Sequence, residues 1–108
     1  MEKKTFEKKI NVNVIEFVKS MKEQYNNDDN PVLISKIDFS SQNIQKIDVD
    51  FLLKEILQIR TFYITNIDLS HNLLDDDSIS YFSDFFDEHN FLKELNLSSN
   101  KIGKIKNN

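Results

Sequence analysis

Asp68, Ser70 and His71 fall within the tetrapeptide "DLSH", and a carboxylate, a hydroxyl and an imidazole together invite a nucleophilic reading. That chemistry needs the imidazole to touch both partners at once. Alternate residues of an extended segment project in parallel and do not converge, so the spacing does not assemble a triad. His71 with Asp75, Asp76 and Asp77 suggests a metal site. Acidic residues at the start of a helix are explained more simply by the positive end of the helix dipole. His89 is expected in the last turn of that helix. The "NLS" at Asn96 has the spacing of a glycosylation acceptor, but a repeated pattern described below generates it, and no export signal accompanies it. No catalytic residue, no metal and no cofactor is therefore assigned.

Composition narrows the rest. The chain has 108 residues, room for one domain of ordinary size. Nine Phe and many Ile and Leu supply enough apolar surface to fold most of it. Cysteine is absent, so thiolate metal sites and disulfides are out, which favours a reducing compartment such as the cytoplasm. "MEKKTFEKKI" carries charge without a following apolar run and is not a secretory leader. No apolar run approaches the ~20 residues of a membrane span. The net charge of −4 makes nucleic acid a poor partner.

The elements that would position these residues come from a repeat. "ISKIDFSSQNI" places Ile34, Ile37, Phe39, Gln42 and Ile44 at relative positions 1, 4, 6, 9 and 11. "ITNIDLSHNLL" places Ile64, Ile67, Leu69, Asn72 and Leu74 at the same positions, and "LKELNLSSNKI" places Leu92, Leu95, Leu97, Asn100 and Ile102 there. The starts lie 30 and then 28 residues apart. Three matches in register predict a short strand and a sharp turn, three times over. This resembles the leucine-rich repeat, L-x-x-L-x-L-x-x-N-x-L.

The resemblance implies parallel strands whose positions 4 and 6 point inward, with position 1 packed beneath. It implies a structural ladder of amides from Gln42, Asn72 and Asn100 that satisfies buried backbone. Gln42 departs from the pattern, so the first rung is expected to be poorly formed. Repeats of this length leave space for an outer helix, as in the ribonuclease-inhibitor-like subtype. That subtype carries apolar residues where this chain has Leu52 and Ile56, then Phe82 and Phe86. Where the subtype usually has glycine, this chain has Asp48 and Ser78, which can serve as N-caps.

The segments between the repeated motifs read as helices unaided. "DVDFLLKEILQIR" puts Val49, Leu52, Leu53 and Ile56 on one face, and "DDDSISYFSDFFDEHN" puts Ile79, Phe82 and Phe86 on one face, with Asn90 as a left-handed stop. Before the repeats, Phe6, Ile10, Val14, Phe17, Val18, Met21 and Tyr25 follow helical spacing, with a break expected near Asn11, Val12 and Asn13. "NNDDNP" around Pro31 is a loop. A solenoid exposes an apolar edge at each end, and a terminal unit normally covers it; the first helix is expected to be that cap.

The expected fold is α/β: a short leucine-rich-repeat solenoid with parallel strands on a concave face, helices on a convex face and an N-terminal helical cap. Residues 1–30 form the cap and loop, and residues 31–108 the repeats, about 31–60, 61–90 and an incomplete 91–108. The chain stops before the third repeat could place its outer helix, so Leu95 and Leu97 are expected at an edge.

In this family the concave face binds other proteins. The positions that would line it are Lys36, Asp38, Ser40 and Ser41; Asn66, Asp68, Ser70 and His71; and Glu94, Asn96, Ser98 and Ser99, with Asp38 and Asp68 as charge anchors. The competing reading is that "DLS" and "NLS" are merely common filler at these positions. Trp, Tyr and Arg, the usual hot-spot residues, are missing from the face, and Arg60 is expected near a helix end away from it. The functional expectation is a non-catalytic protein-binding scaffold. The alternatives are a fragment or targeting segment of a larger leucine-rich-repeat protein (ligase adaptor, GTPase regulator or effector) and a homo-oligomer formed through the uncapped C-terminal edge.

Overall fold

A computed structural model describes residues 9–27, 35–59, 64–88 and 91–102. Three strands and three helices alternate: α1 (Val12–Asn27), β1 (Lys36–Asp38), α2 (Lys46–Leu57), β2 (Asn66–Asp68), α3 (Ile79–Glu88) and β3 (Glu94–Asn96). A single turn of 3-10 helix, Asp76–Ser78, leads into α3. Phe6, Pro31 and the loop around it, Ile34, Arg60, His89 and Asn90 lie outside the described residues, as does the side chain of Tyr25.

The strands form one parallel sheet in the order β1-β2-β3. Ile37 pairs with Ile67, and Ile67 with Leu95, in the register expected from the sequence. Each strand is only three residues long, one inward apolar residue between two outward polar ones. Ile37, Phe39, Ile67 and Leu69 are buried, and Ile44, Ile64 and Leu74 complete the interior of the first two units. Leu92, Leu95, Leu97 and Ile102 are only partly buried.

Asn11 starts α1. Its Oδ1 accepts the Asn13 N–H at 2.8 Å, and its carbonyl accepts the Ile15 N–H at 3.1 Å. Asparagine suits this place because its short amide satisfies a donor that the first helical turn leaves unpaired. The break expected near Asn11 is thus the helix start itself. Ile10 precedes the helix and packs on the core. Val14, Val18 and Met21 form the buried stripe of α1, and the Phe17 ring meets that of Phe39 edge-on at 5.6 Å.

In α2 the expected face is buried: Val49, Leu52, Leu53 and Ile56. In α3 the expectation is corrected. Phe82 and Phe85 are buried, while Ile79 is 39% exposed and Phe86 41% exposed. The cause lies in what flanks each helix. α2 packs between α1 and α3, whereas α3 packs against α2 on one side only among the described elements. Val49 and Ile56, one repeat earlier than Ile79 and Phe86, are both 0% exposed. The second helix thus has a wide apolar face and the third a narrow one.

Neither Asp48 nor Ser78 is an N-cap. Gln45 caps α2, and Asp48 sits at the third helical position. Asp75 starts the 3-10 turn, its side chain accepting the Asp77 N–H at 3.1 Å. Both expected caps are buried instead, and the Ser78 hydroxyl has no hydrogen-bond partner among the described residues. No helix among the described residues is long and apolar enough to cross a membrane.

Candidate functional site

Every strand of this sheet ends in the same hydrogen-bonded turn. Asp38 Oδ1 accepts from the Ser40 N–H at 2.9 Å and the Ser40 hydroxyl at 2.8 Å. Asp68 Oδ1 accepts from Ser70 at 3.0 and 2.7 Å, and Asn96 Oδ1 accepts from Ser98 at 3.0 and 2.8 Å. An Asp or Asn oxygen reaching the backbone two residues on is a turn in its own right. The "D/N-x-S" pattern is therefore structural at all three places.

The next residue in each turn is left-handed: Ser41 at φ 56°, His71 at 57° and Ser99 at 58°. The kink aims its N–H at the following unit. Ser41 N–H donates to Ser70 O at 3.0 Å, and His71 N–H to Ser98 O at 2.9 Å. Turn geometry and sheet pairing hold each other in place.

The outward side chains form two rows across the sheet. The first is Lys36, Asn66 and Glu94, in which Asn66 Nδ2 donates to Glu94 Oε1 and Thr65 Oγ1 donates to Asn66 Oδ1 at 2.7 Å. The second is Asp38, Asp68 and Asn96. Two carboxylates thus occupy paired positions on adjacent strands, an arrangement that like-charge repulsion makes costly. The Ser40 N–H and then its hydroxyl hold the Asp38 carboxyl below its usual range, with the Lys36 charge adding to them and slight burial opposing.

Ser40 and Ser98 continue this surface, but Ser70 does not. Ser70 is 6% exposed and its hydroxyl is committed to Asp68. It stands between the first and third turns, whereas each of those has a neighbour on one side in the sheet. As a residue offered to a partner it is withdrawn.

Asp68 Oδ1 accepts the Ser70 hydroxyl directly at 2.7 Å, and the exposed His71 imidazole makes no hydrogen bond to a described residue. Among the described residues no group of three or more His, Cys, Asp or Glu side chains could hold a metal ion.

Behind the turns runs the amide ladder. Asn72 Oδ1 accepts from the Gln42 and Ile44 N–H groups, both at 2.9 Å, and its Nδ2 donates to Phe39 O, Leu69 O and Ser70 O at 2.9 to 3.1 Å. Asn100 Oδ1 accepts the Leu74 N–H at 2.9 Å, and its Nδ2 donates to Leu69 O, Leu97 O and Ser98 O. Each asparagine therefore serves the loop of the preceding unit as well as its own.

Gln42 is not a rung, which corrects the expected ladder. Among the described residues no strand precedes β1, and the Gln42 side chain meets the start of α1 instead. Its Oε1 accepts from Asn13 Nδ2 at 2.8 Å and its carbonyl from Asn11 Nδ2 at 2.8 Å. The start of α1 takes over what a previous unit would have done. By helix propensity alone Asn11 and Asn13 are only poor helix formers. The signal that could have found them is an asparagine immediately before an apolar helical stripe.

No protein-family model matches the chain, and no curated protein or solved structure does.

Proposed function

We propose that the chain is a ribonuclease-inhibitor-like leucine-rich-repeat module, a short solenoid with an N-terminal helical cap, and that it acts as a non-catalytic scaffold holding another protein on its sheet face. The observation that carries this reading is the identical turn after every strand. It fixes the polar row Asp38–Asp68–Asn96 before any partner arrives, and a preformed surface lowers the ordering cost of association. The charge on Asp38 and Asp68 is surplus to the turn, because neutral Asn96 makes the same two bonds. Carboxylates kept side by side without a structural need are suited to a basic group on a partner.

Asn96 also supplies the test. The double variant Asp38→Asn/Asp68→Asn keeps both turns and removes both charges. Immobilised wild-type protein and this variant, matched in thermal denaturation, are compared for the proteins they retain from a cell extract. Retention by the wild type that the variant loses is expected. Undiminished retention by the variant would move the contacts off this face.

A further inference from the structure

We draw no further inference here: the strongest candidate, the apolar patch that Ile79 and Phe86 leave exposed on α3, carries none, because nothing in the structure shows what covers it.

Discussion

Asp48 joins the starts of two helices. Its Oδ1 accepts the Asn11 N–H at 2.7 Å, across 37 residues of sequence, and its Oδ2 accepts the Gln45 N–H at 2.8 Å. Both donors are helix-start groups with no partner inside their own helix, and the carboxylate itself is buried. Asn11 in turn binds Gln42, so the carboxylate ties the start of α1 to the first turn beside the Asn13–Gln42 bond.

Asp48→Ala should accordingly destabilise the protein by about 2–3 kcal/mol, since it strands two donors that bind a charged group. Urea denaturation measures this, and hydrogen exchange locates it. Faster exchange in α1 than in the sheet is expected. An unchanged midpoint would remove Asp48 from its proposed role as the clasp.

The two rungs of the ladder should differ. Asn72→Ala leaves the Gln42 and Ile44 N–H groups unpaired, while Asn100→Ala leaves only that of Leu74. Each loss is expected to cost roughly 1–3 kcal/mol, with Asn72 the larger. Equal melting temperatures for the two variants would contradict the unequal donor count.

Three left-handed residues offer a gain in stability. A side chain with a Cβ pays about 1–2 kcal/mol to sit there, and glycine loses about 0.5–1 kcal/mol through its freer unfolded chain. Ser41→Gly, His71→Gly and Ser99→Gly should each stabilise by about 0.5–1 kcal/mol in thermal denaturation. A loss at all three would show that their side chains contribute more than the kink costs.

Asp38 gives a pH signature of known sign. Its carboxyl is held below the ordinary range by the Ser40 N–H and hydroxyl, so the folded state favours the ionised form. The stabilisation is present above the unfolded carboxylate pKa and is lost as pH falls through the lowered folded value. Asp38 is exposed, so solvent screening keeps the contribution small. Asp38→Asn should preserve the turn, as Asn96 does, and flatten the decline in stability between about pH 5 and pH 2. The check is a series of denaturant titrations across that range, in which an equally steep decline would count against it.

Much of this was legible in the residue spacing. Ile37, Ile67 and Leu95 align across the sheet because a repeated interval places each strand beside the last. The buried face of α2 follows from the spacing of Val49, Leu52, Leu53 and Ile56. The turn residues Asp38, Asp68 and Asn96 stood in plain view, although as a binding pattern and not as hydrogen-bonded turns.

What the chain alone determined is periodic and local: which residues point inward along a strand, which line up along a helix, and where an amide recurs. The tertiary arrangement decided everything that depends on having a neighbour. Phe85 is buried and Phe86 is not because α3 is flanked on one side among the described elements. Gln42 turns to Asn11 and Asn13 because α1, and no strand among the described residues, lies before it, and Ser70 is withdrawn because turns lie on both sides of it. A repeat assigns every unit the same role, but burial and hydrogen bonding are set by what packs alongside, and that differs at the ends of a stack from its middle.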